Sequence, residues 1–125
     1  DLVVHELDMT EPQQAIGIIR RRNPDGLVCA NDATAAILLR SLVDAGASIP
    51  EDLRVAAFDD VRYASLLSVP LTTYHQPCPD IGLTAVQAMR ARLLHPERPA
   101  RRIFLKGELI IRESSRRLPS AAIDK

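Results

Sequence analysis

Pro24-Asp25-Gly26-Leu27-Val28-Cys29-Ala30-Asn31-Asp32 decides how the rest of the chain is read. Gly26 to Ala30 is a short unbroken apolar run, the form taken by a strand buried on both faces of a parallel sheet. Asn31-Asp32 then stands at its carboxyl end. Downstream, Ala36, Ile37, Leu39, Leu42 and Val43 recur at helical spacing, with Asp32 or Thr34 placed to cap the helix and Gly46 to stop it in a left-handed turn. The arrangement then repeats: Leu53 to Phe58 is a second apolar strand, and it too ends in acidic residues, Asp59-Asp60.

Working outward from this pair, Thr10-Glu11-Pro12-Gln13 opens an upstream helix, with Thr10 as cap, Pro12 in the first turn and Gln13 completing a capping box. Ala15, Ile16, Ile18 and Ile19 form its apolar face, Arg20-Arg21-Arg22 complement the dipole in its last turn, and Asn23-Pro24-Asp25-Gly26 ends it. Leu2 to His5 is expected as a further short strand. Downstream, a short helical turn is expected over Tyr63 to Leu67 and a strand over Leu71 to His75. Gln76-Pro77-Cys78-Pro79 reads as an extended crossing. Asp80 opens a long amphipathic helix to Leu94, with Ile81, Ala85, Ala88, Met89 and Leu93 on one side. Ile103-Phe104-Leu105 and Leu109-Ile110-Ile111 form two strands around Lys106-Gly107-Glu108, and the tail from Ser114 is expected to fray. Strand and helix alternate throughout. That order predicts an α/β fold: an open parallel sheet with helices on both faces.

Composition narrows the function classes. The 125 residues make one domain, with 46% apolar and 26% charged residues. Lys+Arg and Asp+Glu both number 16, so the chain lacks the basic excess of a domain that grips nucleic acid. No apolar run approaches a membrane span and no signal-peptide pattern opens the chain, so no membrane partner and a cytoplasmic location are expected. Two cysteines, Cys29 and Cys78, give no disulfide framework. The chain opens on Asp1 rather than Met, as a piece of a longer polypeptide would.

Open α/β sheets bind ligands at the carboxyl ends of their strands. Asn31 and Asp59 reach that edge. An amide supplies donor and acceptor and a carboxylate supplies acceptors, which suits a small ligand rich in hydroxyls or ring N–H groups. Asp32 and Asp60, one residue further on, read as helix caps. Nothing calls for catalysis. Adjacent Asp59 and Asp60 would point to opposite faces of a strand and not converge on one ion. Neither glycine-rich phosphate loop occurs, and His5, His75 and His95 lack metal-ligand spacing. No serine has a nucleophile-elbow context. No catalytic residue, metal or cofactor is therefore expected. Cys29 reads as an inert small hydrophobe, Cys78 carries no charge pattern marking it reactive, and the arginines at 20–22 and 101–102 read as solvated charge.

Four segments are specific. Pro24 to Ala35 resembles the P-D-A-hydrophobic-C/F-A-N-D segment of LacI/GalR-family transcriptional regulators, and Ile49 to Asp60 resembles their I/V-P-E-D-hydrophobic-x-V-x-G-F/Y-D-D/N segment. Pro70-Leu71-Thr72-Thr73 with Gln76-Pro77 is similar to P-x-L-T-T-hydrophobic-x-Q-P, and Gly107-Glu108-Leu109 followed by Arg112-Glu113-Ser114-Ser115 to the closing x-x-L-hydrophobic-x-R-x-S. They occur in family order across almost the whole of 25–115. Ala57 stands where the family usually has Gly, and Tyr74 and Cys78 are unusual side chains beside the crossing.

The resemblance implies the C-terminal part of a type I periplasmic-binding-protein-like effector domain, in which a small molecule closes two hinged lobes. Residues 1–71 would belong to the C-terminal lobe, 72–79 to a hinge crossing, 80–98 to a helix that packs on the N-terminal lobe, 99–115 to return strands and 116–125 to a tail. Asn31, Phe58, Asp59 and Gln76 match effector-binding positions, while Ala36, Arg40, Tyr63, Leu66 and Leu67 match the dimer-forming face. The implied partners are a small-molecule effector and a second copy in a homodimer. DNA would be reached only through a headpiece missing from this sequence. The apolar face of the 80–94 helix would lie exposed unless another chain covered it. A transport receptor of the same fold and, in another class, a carboxylate-dependent α/β enzyme are the alternatives.

Overall fold

The computed structural model describes Val3 and residues 11–116. The expected strand at 2–5 and the Thr10 cap lie outside the described residues, as does all but the first residue of the expected tail at 116–125. Within them the order is α1 (Pro12–Arg22), β1 (Gly26–Val28), α2 (Asp32–Asp44), β2 (Arg54–Asp59), a 3-10 turn (Arg62–Ser65), β3 (Thr72–His75), α3 (Cys78–Leu94), β4 (Glu108–Ile110) and a second 3-10 turn (Glu113–Ser115).

The strands form one open sheet in the order β1-β2-β3-β4. β1, β2 and β3 run parallel, with Leu27 opposite Val55 and Ala57 opposite Thr73. β4 runs antiparallel to β3, placing Glu108 opposite His75, so the sheet is mixed rather than wholly parallel. The chain reverses direction there because it returns to the sheet from the far side of α3.

The core lies between α1, α2 and the sheet. Ala35, Leu38, Leu39 and Leu42 form the buried stripe of α2, facing Val55 and Ala57 of β2 and Ala15 and Ile16 of α1. The stripe is rotated from the expected one: Ile37 and Val43 are exposed and Ala36 is half-buried. Gly46, at φ +86°, stops α2, while Ala47 donates its N–H to the Leu42 carbonyl at 3.0 Å. Asn23 does the same for α1 in the left-handed region, donating to the Ile19 carbonyl at 2.8 Å. At the start of α1, Glu11 occupies the cap position without a side-chain cap bond. Gln14, not Gln13, reaches back to its carboxylate at 2.7 Å.

Three expectations are corrected. β1 is not buried on both faces: among the described residues it pairs only with β2, and Val28 is exposed. Ile103-Phe104-Leu105 is not a strand, because no described strand lies alongside to pair with it. The expected extended crossing Gln76-Pro77-Cys78-Pro79 is shortened: after the expected strand, β3 at Thr72–His75, Cys78 with Pro79 already forms the first turn of α3, where the missing proline N–H costs nothing. Gln76 and Pro77 alone connect them.

Candidate functional site

The three parallel strands bring their carboxyl ends to one edge. Asp59 closes β2, its register neighbour His75 closes β3, and Gln76 follows directly. Asn31 stands just beyond β1 at the head of α2. The chain breaks sharply here, with φ +114° at Asp59 and +53° at Asp60. Neither residue is glycine, and conformations of this kind cost about 1–3 kcal/mol each and collect at ligand sites. What the strain achieves is visible in the side chains. Instead of continuing the strand, the two carboxylates are turned to separate sets of partners.

Gln76 donates from Nε2 to Asp59 Oδ1 at 2.7 Å. The half-buried Asp59 keeps its second oxygen without a bond among the described residues. Beside it, Phe58 is 40% exposed and leans on Tyr74 with ring centroids 5.9 Å apart and planes tilted by 56°. An acceptor, an amide and an aromatic surface therefore meet at the end of the sheet. Asn31 arrives differently. Its Oδ1 accepts from the Thr34 N–H at 2.8 Å and so caps α2, while its Nδ2 makes no bond among the described residues.

The cap of α2 is thus Asn31 and not Asp32 or Thr34. Asp32 does not cap. It is fully buried, accepting from Thr73 Oγ1 at 2.6 Å and from the Val61 N–H at 2.9 Å. A buried carboxylate is tolerated because its oxygens are satisfied, and the bonds tie α2 to β3 and to the turn after β2. Asp60 does not cap either; Val61 holds that position before the 3-10 turn. Asp60 accepts from Arg112 Nη2 at 2.6 Å and meets His75 Nδ1 at 3.0 Å, while its own N–H donates to Thr73 Oγ1 at 3.2 Å. The Arg112 guanidinium holds the Asp60 carboxyl below the usual carboxylate range; partial burial opposes this and His75 assists it. Asp32, Thr73, Asp60, His75 and Arg112 form one network that fixes the backbone on which Asp59 stands.

Arg112 and Thr73 escape a reading of the sequence for site residues. Arg112 also donates to the Leu71 carbonyl at 2.9 Å, and its backbone N–H donates to Thr72 Oγ1 at 2.8 Å. The available signal was the acidic pair itself, which needs a nearby cation, and a lone arginine directly after an apolar run. Ser114, expected to begin a frayed tail, is fully buried. It donates from Oγ to the Val55 carbonyl at 2.6 Å and accepts there from the Thr72 N–H at 2.8 Å.

Of the residues matched to a dimer face, Ala36 is half-buried and Arg40 is exposed in an ion pair with Asp44 at 2.8 Å. Tyr63 is exposed, Leu66 is 81% exposed, and Leu67 packs against the core. Among the described residues no three His, Cys, Asp or Glu side chains gather as a metal site would require. Burial pushes the Cys29 thiol up to about 11, as befits an inert core residue. Two grooves lie away from this edge. A small one of about 110 Å³ lies beside Ile16, Arg20 and Leu53, and a wider one of about 430 Å³ between α3 and residues 101–105. No helix among the described residues is long and apolar enough to cross a membrane.

Residues 2–115 match the periplasmic binding protein-like domain. The chain belongs to that family. Among curated proteins, this periplasmic-binding-protein-like chain is 38% identical over 103 residues to the HTH-type transcriptional regulator GalR of Lacticaseibacillus casei, covering 82% of the chain and 31% of that protein. It is 33% identical over 97 residues to the HTH-type transcriptional repressor PurR of Photobacterium profundum, covering 78% and 29%. Among solved structures, a LacI family transcriptional regulator from Enterococcus faecium with bound ribose superposes with a TM-score of 0.74 at 26% identity, covering 91% of this chain and 42% of that one. The complex of the transcriptional regulator CelR with cellobiose superposes with a TM-score of 0.73 at 25% identity, covering 86% and 32%. The chain spans about a third of the length of the curated relatives it matches. Those relatives are regulators rather than enzymes, and the fold is that of a LacI/GalR-type effector-binding domain.

Proposed function

We propose that this chain is the effector-sensing and dimerising part of a LacI/GalR-type transcriptional regulator acting in the cytoplasm. The effector is a small polar molecule, sugar or nucleobase-like, held at the interface of two lobes. The observation that carries this reading is the Asp59–Gln76 bond of 2.7 Å at the carboxyl edge of the parallel strands. It presents a carboxylate with one oxygen tethered and one available, next to an exposed aromatic ring. Ligand hydroxyls or ring N–H groups would donate to Asp59, the Asn31 amide would donate to a ligand oxygen, and Phe58 would cover an apolar ring face. Charge-assisted bonds of this kind contribute about 1.5–3 kcal/mol. Ribose and cellobiose bound to structural relatives favour a sugar.

In this reading residues 1–71 belong to the C-terminal lobe, 72–79 carry the chain out, 80–98 pack on the N-terminal lobe, and 99–115 return. The exposed apolar positions of α3 and Phe104, at 88% exposure, support that assignment because they lack a covering layer. Ala36, Arg40, Tyr63 and Leu66 would meet a second copy, with Leu67 anchoring their turn to the core. Effector binding would favour one lobe arrangement and so reset the spacing of DNA-binding heads carried elsewhere in the full-length polypeptide.

The test is a thermal-shift screen of the full-length polypeptide against pentoses, hexoses, disaccharides, nucleosides and purines. A ligand at about 100 times its Kd adds roughly 2.7 kcal/mol of stability. The expected result is a sugar whose stabilisation disappears in Asp59→Asn. A ligand that stabilises parent and variant equally would remove Asp59 from the site.

A further inference from the structure

α3 buries none of its residues and is joined to the sheet by two segments: Gln76-Pro77 leaving β3, and residues 95–107 returning to β4. These leave and enter the sheet side by side, since His75 and Glu108 are register partners. One side chain reaches from β3, which runs directly into the outgoing segment, to the returning one. Tyr74, the penultimate residue of β3, accepts the Gly107 N–H on its hydroxyl at 3.0 Å. The approach is so close that a Cβ on Gly107 would collide with Tyr74 Cε1 and with the His75 carbonyl oxygen. On its other side the Tyr74 ring meets Phe58, the exposed aromatic at the Asp59 edge.

We propose that Tyr74 is a positioning residue that latches the outgoing and returning segments to each other and, through its ring contact with Phe58, ties both to the effector edge. The hydroxyl is the part that matters. It reaches across to the return segment, whereas the ring alone would only fill space between β3 and Phe58. Displacement of Phe58 by a ligand would then move Tyr74, and Tyr74 would carry that displacement to the two connections about which α3 can swing. This inference uses the proposed effector edge only for the role of Phe58; the latch itself stands on the Tyr74–Gly107 contact.

The test needs no ligand, so its outcome is independent of the screen above. Amide hydrogen exchange of the full chain is followed residue by residue in the parent, Tyr74→Phe and Phe58→Leu. Tyr74→Phe keeps the ring and removes the acceptor. It is expected to speed exchange about 2- to 10-fold at Gly107 and, because the segments are latched together, also at Cys78, whose N–H donates to the Gln76 carbonyl on the outgoing side. Phe58→Leu is expected to speed Gly107 as well, by a smaller factor. Exchange at Val55 and Ala57 stays unchanged in both variants and reports an intact sheet. An effect of Tyr74→Phe confined to Gly107 would overturn the latch, and a Gly107 rate indifferent to Phe58→Leu would overturn its tie to the effector edge.

Discussion

Asp60 shows how a single side chain can hold a site it never enters. Its carboxylate, 18% exposed, receives Arg112, itself 20% exposed, and this pairing fixes the turn on which Asp59 departs from the strand. The ionised form is favoured, chiefly by Arg112, so the folded-state value lies below that of the unfolded chain. A depressed carboxylate contributes stability that is present above the unfolded value, about pH 4, and is lost as pH falls through the folded one. Asp60→Asn should therefore cost about 1.5–3 kcal/mol in urea unfolding at roughly pH 5, and the difference from the parent should shrink at roughly pH 2.5. An offset that stays constant between the two would show that charge on Asp60 is not what stabilises the turn. In the same variant, Asp59 would lose its fixed backbone, so affinity for the effector is expected to fall even though Asp60 makes no ligand contact. Titration of the variant with whichever sugar the screen returns checks this.

At the scale of elements, the legible parts of the sequence were those governed by local chemistry. The turns at Asn23 and Gly46, the apolar content of β2 and the polar residues at the strand ends need only neighbours within a few positions, and they stand where expected. What local pattern could not supply was long-range partnership. Asn31 and Asp32 are both competent caps, and only the arrival of Thr73 and Val61, far along the chain, decides that Asp32 turns inward. Ile103-Phe104-Leu105 has strand composition but no strand to pair with among the described residues. Ser114 is the clearest case, a polar residue in a polar stretch that becomes a buried rivet between β2 and β3. Ser114→Ala would leave the Thr72 N–H and one lone pair of the Val55 carbonyl without that partner. It should destabilise by about 1–3 kcal/mol, read as a lower urea midpoint at unchanged slope. A variant as stable as the parent would mean that the second 3-10 turn is dispensable.

For the whole molecule, the distribution of apolar surface is uneven. The α1–α2–sheet unit closes its own core, whereas Ile81, Leu83, Val86, Met89, Leu93 and Phe104 remain exposed on and beside α3. So many exposed apolar side chains around one helix mark a contact region rather than ordinary solvent-facing decoration. If another lobe covers it in the full-length polypeptide, the 125 residues on their own must either leave it wet or bury it against one another. The isolated chain is accordingly expected to associate with rising concentration in sedimentation velocity. The paired substitution Val86→Lys with Phe104→Ser should return it to a monomer, because a charge and a hydroxyl on this face oppose its desolvation. Urea unfolding of the α1–α2–sheet unit should be little changed by that pair, since neither side chain contributes to the buried core. Placed in the full-length polypeptide, the same pair should instead weaken lobe packing and lower its melting temperature. A full-length protein indifferent to both changes would mean that α3 lies open there too, and the assignment of 80–98 to an interlobe position would fail.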